Sequence, residues 1–74
     1  MTRMDNAELL ADIANTEKKV EAYRQLAEGY AILARLPENT EPKNGMYAMK
    51  YNSLYEQCRK FLGQLNKIKT ESGL

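Results

Sequence analysis

Apolar residues recur at alternating spacings of four and three in two separate stretches of the chain. This spacing returns a side chain to the same side of an α-helix at every turn, so each stretch predicts one amphipathic helix. Both sets of repeated positions can be read directly from the sequence: Leu9, Ile13, Thr16, Val20, Tyr23, Ala27, Tyr30 and Ala34 in the first, and Tyr47, Tyr51, Leu54, Cys58, Phe61, Leu65 and Ile68 in the second.

The ends of the first helix carry clear signals. Asp5 precedes Glu8 by three residues, which is the spacing of a capping box and predicts the start of the helix with Asp5 as its N-cap. Pro37 disfavours helical geometry at Leu36, and the residues that follow have the composition of a loop. The first helix is therefore expected to span about residues 6–35.

The second helix is expected to span about residues 45–69, after a loop at about residues 36–44. Asn44 is the preferred cap, and Thr40 is an alternative cap for an earlier start. Two long helices joined by a short loop fold back on each other. The fold class is therefore predicted as all-α: a single domain, residues 1–74, that forms an antiparallel, coiled-coil-like two-helix hairpin.

The register of this hairpin can be predicted by setting small side chains opposite large ones. The resulting pairs are Tyr30 with Tyr51, Ala27 with Leu54, Tyr23 with Cys58, Val20 with Phe61, Thr16 with Leu65, and Ile13 with Ile68.

Charge is unevenly distributed along the chain, although the net charge is only +1. Residues 1–41 hold eight acidic and five basic residues, whereas residues 42–74 hold six basic and two acidic ones. Halves of opposite sign favour lying side by side. The basic residues of the second half are spread over several sides of the helix and form no single groove, so nucleic acid is an unlikely partner.

Several large apolar residues lie beside the two predicted stripes. A lone hairpin would leave them in water, so we expect dimerisation or a partner protein to cover them. The residues expected to bind such a partner are Leu26, Leu33, Leu36, Met46, Met49, Tyr55 and Leu62.

Tyrosines and methionines are concentrated near the loop end of the hairpin. Two interpretations are open: these side chains close the end of the hairpin and belong to its core, or they form a binding surface, where both residue types are common.

No catalytic, cofactor-binding or metal-binding site is predicted. The chain has one cysteine and no histidine, so Cys58 has no histidine to activate it and no zinc ligand set is apparent. The acidic pairs Glu8/Asp12 and Glu17/Glu21 fit a solvated helix face better than a pair of catalytic carboxylates. We therefore expect a protein that is not an enzyme and that binds no small-molecule substrate.

The lone thiol suits a reducing compartment, and no apolar run is long enough to span a membrane. Asp5, Glu8 and Asp12 stand where a signal peptide would be apolar. The expected location is the cytoplasm, without membrane attachment.

The run Tyr51-x-x-Leu54-x-x-Gln57-x-x-x-Phe61-x-x-x-Leu65-x-x-Ile68 resembles the small co-chaperones of type III secretion needle subunits. The resemblance covers the second helix and the general plan of the first. It implies a cytosolic helical hairpin that docks onto a larger, tetratricopeptide-like chaperone and helps to hold the needle protein soluble before export. The chain departs from that family in its longer loop, "RLPENTEPKNGM", and in its number of tyrosines.

The alternative hypothesis is a self-sufficient homodimer. Two hairpins would form a four-helix bundle, as in a phage-encoded or plasmid-encoded regulator that inhibits a host protein or binds structured RNA.

Overall fold

A computed structural model of the chain describes residues 5–38 and 41–73. Within these ranges the chain forms two α-helices and no strand: α1 spans Asn6–Arg35 and α2 spans Lys43–Glu71. The two helices pack against each other as a hairpin. The predicted all-α hairpin is confirmed.

α1 has the bounds expected from the sequence, but its first turn is held differently. Asp5 occupies the N-cap position with an extended backbone, yet its side chain makes no capping hydrogen bond. The carbonyl oxygen of Asp5 accepts the first hydrogen bond of the helix, from the backbone N–H of Leu9 at 2.9 Å. At the other end, Leu36 has φ −67° and ψ 137°, the extended geometry that Pro37 imposes on the residue before it.

α2 begins two residues earlier than expected, at Lys43. Asn44 therefore lies inside the helix, and the expectation that it caps the helix is wrong; the alternative cap, Thr40, lies outside the described residues. Pro42 occupies the cap position with φ −65°. Proline is well suited to a helix start, because its φ is already helical and its missing N–H would have no partner there.

The end of α2 is formed by Ser72 and Gly73, as the sequence indicates. The helix extends to Glu71, two residues beyond the expected end. The backbone N–H of Ser72 donates to the carbonyl oxygen of Ile68 at 2.9 Å. Gly73 has φ 76°, a left-handed conformation that glycine adopts without steric cost and that commonly terminates helices.

The predicted stripe of α1 faces α2 along its whole length, since none of its eight members is exposed. The most deeply buried part lies at the end away from the loop, where Leu9, Ile13 and Leu65 form one cluster with Leu62 packed against it. Thr16 is also buried, and its hydroxyl group donates to the carbonyl oxygen of Asp12 at 2.7 Å.

The register is close to the expected one at the loop end and differs at the other. Tyr30 stacks on Tyr51 as predicted. Ile13, however, clusters with Leu65 and Leu62, whereas the prediction placed it against Ile68. The pairing at this end is thus displaced by about one turn of α2.

α2 is also rotated relative to the prediction. It carries three adjacent rows of side chains at seven-residue spacing: a central row of Tyr51, Cys58 and Leu65, an inner row of Ala48, Tyr55, Leu62 and Lys69, and an outer row of Tyr47, Leu54, Phe61 and Ile68. The inner row is half-buried throughout, whereas Phe61 and Ile68 of the outer row are 49% and 44% exposed.

Two expectations are corrected by this rotation. Phe61 and Ile68 were assigned to the stripe between the helices, but the hairpin leaves them half in water. Tyr55 and Leu62 were expected to be left uncovered, but both are half-buried by their own chain. One helix covers only about two neighbouring rows of another, and α1 covers the central and inner rows.

Candidate protein-binding surface

Four tyrosines form a ladder of rings between the two helices. Tyr51 stacks on Tyr23 and on Tyr30, with ring centroids 6.1 Å and 5.7 Å apart, and Tyr30 also contacts Tyr47 at 5.2 Å. The rings come alternately from α1 and α2, so they hold the loop half of the hairpin together. These tyrosines therefore belong mainly to the packing between the helices.

The methionines at the same end have a different environment. Met46 is 69% exposed and Met49 is 76% exposed. Of the two interpretations of the cluster, packing between the helices describes the tyrosines of the ladder, and an open surface describes the methionines.

A second row of apolar residues runs along α1 beside its packed stripe. Ala22, Leu26, Gly29 and Leu33 follow one another at spacings of four, three and four. Together with Gln25 and Tyr30 they line a shallow groove, which we call the leucine groove. Its two leucines are 41% and 44% exposed, and Leu36, also exposed, continues the row into the loop.

The leucine groove and the outer row of α2 lie on the same side of the hairpin. Tyr30 lines the groove and contacts Tyr47, the first member of the outer row. Because residues seven apart share one side of a helix, the rest of the outer row follows from Tyr47 on this side. We call the combined surface the apolar face: Leu26, Leu33, Tyr47, Leu54, Phe61 and Ile68.

The apolar face is widest at the loop end. There, both helices contribute large side chains. Toward the other end of the hairpin, the row of α1 continues with Lys18, Lys19 and Asn15. All three are polar and exposed. Among the residues that the structure describes, only Phe61 and Ile68 of α2 extend the apolar face into that half.

The opposite side of the hairpin mixes charged, polar and apolar side chains, and we call the groove on it the mixed groove. The groove there is lined by residues from both helices: Arg24, Ala27, Glu28, Ala31, Ala48, Met49, Asn52 and Tyr55. Tyr55 accepts a 3.4 Å hydrogen bond from Arg59, whose guanidinium group also lies 5.6 Å from the centre of the tyrosine ring.

Arg24 connects two carboxylates beside this mixed groove. Its guanidinium group pairs with Glu21 and, at 3.0 Å, with Glu28. The hydrogen bond from Arg24 lowers the pKa of Glu21, with a further contribution from the amide of Gln25. Both ion pairs lie within α1, so they support the helix itself.

The residues expected to bind a partner are thus distributed over several surfaces. Leu26 and Leu33 lie in the leucine groove, with Leu36 at its end, whereas Met49 and Tyr55 line the mixed groove on the opposite side. Met46 is exposed, and Leu62 packs against the core cluster. The sequence reading missed Phe61 and Ile68, although the seven-residue spacing of the outer row was visible.

The hairpin exposes more surface than a compact chain of its mass. Its radius of gyration is 16.5 Å, against about 11 Å expected for a compact domain of this length. Its accessible surface is 5896 Å², against about 4700 Å² expected for a compact monomer of this mass. The surplus of about 1200 Å² follows from the extended shape, 52 × 19 × 15 Å.

The described residues show no arrangement suited to metal binding: none of their histidine, cysteine, aspartate and glutamate side chains form a group of three or more that could hold an ion. Cys58 is a free, half-buried thiol in the central row of α2. Neither α1 nor α2, as described, includes a segment with the length and apolar character needed to cross a bilayer.

Comparisons with protein-family models, with curated proteins and with solved structures find no match.

Proposed function

We propose that the protein is a non-catalytic interaction module that acts by binding another helical protein chain through its apolar face. The observation that supports this most directly is the half-exposure of Leu26, Leu33, Phe61 and Ile68 along one side of the hairpin. Helices that are apolar on a second side bury that side against further helices. A partner that supplies two helices would complete a four-helix arrangement.

The spacing of the apolar face fits a helical partner. The leucine groove on α1 and the outer row on α2 are parallel to the helix axes, and the outer row repeats every seven residues, as in a coiled-coil seam. Partner helices lying along the hairpin would therefore meet a large side chain at every second turn of α2.

The most concrete form of this proposal comes from the resemblance to needle-subunit co-chaperones. In that form the partner is a larger helical chaperone, and the module acts in the cytoplasm, where a free thiol such as Cys58 stays reduced. The second candidate is a homodimeric four-helix bundle that acts as a regulator of a host protein or of RNA. The alternation of small and large residues in the leucine groove favours self-association.

The proposal is tested by affinity purification of the tagged protein from the cells that express it. Wild type is compared with Phe61→Glu and with the matched control Met49→Glu, which places the same charge on the opposite side, in the mixed groove. A protein retained by wild type and by Met49→Glu, but lost with Phe61→Glu, is the expected result. Circular dichroism confirms that all three chains are helical.

If the tagged wild-type protein retains no other chain, and if it also remains a monomer at high concentration, the apolar face is not a protein-binding surface. Equal loss of a partner with Phe61→Glu and Met49→Glu would show that binding does not depend on this side of the hairpin.

A further inference from the structure

The leucine groove has a sequence of side-chain sizes that can pair with itself. Along α1 the order is small, large, small, large: Ala22, Leu26, Gly29 and Leu33. If a second α1 lies antiparallel on the groove, with the two-fold axis between positions 27 and 28, Leu26 faces Gly29 of the second copy. In the same register Leu33 faces Ala22, so each leucine meets a small residue on the other chain.

We propose that the leucine groove is the contact between two copies of this chain, with their α1 helices packed antiparallel. This inference rests on the proposed function, since it names a second copy as the occupant of one part of the apolar face. Phe61 and Ile68, in the half of the hairpin away from the loop, remain outside this contact. A two-fold axis makes the contact isologous, so it closes as a dimer.

Gly29 supports close approach of a second helix. Glycine is unfavourable in the middle of a helix, yet Gly29 stands in the row of the leucine groove between Leu26 and Leu33. Within the hairpin nothing lies within 4 Å of the position that a Cβ atom would take at Gly29. The hairpin thus leaves space at Gly29, and in the proposed dimer the side chain of Leu26 from the second copy fills that space.

Charge favours the antiparallel direction. Lys18 and Lys19 are exposed at one end of the groove, and Glu38 is exposed just beyond the other end. An antiparallel second copy brings the lysines of each chain beside Glu38 of the other. A parallel copy would place the lysines of the two chains next to each other, which is unfavourable.

A typical specific interface buries about 800 Å² on each partner, so the contact has to extend beyond the leucine groove itself. Tyr30 and Tyr47, at the edge of the leucine groove, extend the contact beyond its row of four small and large residues.

The first test compares two glycine substitutions by sedimentation equilibrium over a wide range of concentration. Gly29→Leu is expected to weaken the dimer by about tenfold or more, because overpacked contacts carry a cost of that order. Gly63→Leu is the matched control, since Gly63 is exposed on α2 and also has open space around its Cβ position; it should dimerise like wild type. The Cβ position is open at both glycines, so both chains are expected to fold.

The second test determines the register by disulfide formation in a Cys58→Ala background. A chain carrying Leu26→Cys is mixed with a chain carrying Gly29→Cys under mild oxidation. Antiparallel packing predicts a mixed disulfide between the two different chains, formed faster than the disulfide of either chain with itself. Faster self-linkage of each chain would indicate parallel packing and overturn the inference.

These outcomes separate this inference from the proposed function. A wild-type protein that stays monomeric, or a dimer that is weakened by Phe61→Glu and not by Gly29→Leu, overturns the antiparallel α1 contact. Neither result bears on the binding of another protein through the apolar face, which the affinity purification tests separately.

Discussion

The ring of Tyr30 lies nearly parallel to the ring of Tyr51, with centroids 5.7 Å apart and planes 10° from each other. This contact joins the last third of α1 to the first third of α2, and Tyr23 and Tyr47 extend it on either side. Aromatic pairs contribute about 0.5–1.5 kcal/mol beyond the area that they bury. The ladder therefore stabilises the half of the hairpin that lacks the deeply buried cluster.

The first prediction concerns this stacked pair. Tyr30→Ala or Tyr51→Ala should lower the free energy of unfolding by about 2–3 kcal/mol, through lost burial and lost stacking. A double-mutant cycle between the two positions should give a coupling energy of about 0.5–1.5 kcal/mol. Met46→Ala, at an exposed position nearby, should change stability by less than about 0.5 kcal/mol. Urea denaturation measures all four variants, and a coupling energy near zero would show that the rings do not interact.

The second prediction tests the rotation of α2. Leu65→Ala should cost about 2–4 kcal/mol, because Leu65 is almost fully buried in the core cluster. Ile68→Ala should cost about 1 kcal/mol or less, since this side chain is 44% exposed. Denaturation at a concentration where the protein is monomeric gives both values. Equal costs at the two positions would instead support the register predicted from the sequence alone.

The sequence was sufficient to predict the two helices, because the residues that form and end a helix act locally. Pro37 ends α1 by a steric effect on Leu36, and the spacing of apolar residues is visible without knowledge of the partner helix. The stripe of α1 was identified correctly because its flanks are clearly different: charged residues such as Arg24 on one side and small or aliphatic residues on the other.

The rotation of α2 could not be predicted in this way. Its central row, which includes Cys58, has apolar neighbours on both sides, with Leu62 in one flanking row and Phe61 in the other. Periodicity alone does not decide which flank faces α1. The choice depends on how α1 packs against α2. The loop length and the small side chains of the alanines at positions 27 and 31 contribute to that packing. Their effect becomes visible only once the two helices are docked.

The third prediction concerns two glycines with opposite expected effects. Gly63 lies inside α2 with open space at its Cβ position, so Gly63→Ala should stabilise the hairpin by about 0.8–1 kcal/mol through helix propensity. Gly73 has φ 76°, and Gly73→Ala should destabilise the end of α2 by about 1 kcal/mol, because a Cβ atom is strained in that conformation. Thermal denaturation and hydrogen exchange of the last turn measure these effects. The same sign for both substitutions would contradict the assigned conformations.

The last prediction concerns pH and the ion pairs of α1. Because the hydrogen bond from Arg24 lowers the pKa of Glu21 below its ordinary value of 4.5, Arg24→Gln should raise that pKa toward the ordinary value. The carboxyl carbon signal of Glu21 in an NMR titration reports the change directly.

A lowered pKa means that the native state holds its carboxylate charged more readily than the unfolded chain does. This contribution to stability is therefore present above the ordinary pKa and is lost as the pH falls through the lowered one. The pair is exposed, so the dependence should be small and should weaken with added salt. An unchanged pKa of Glu21 in Arg24→Gln would show that the hydrogen bond from Arg24 is not what lowers it.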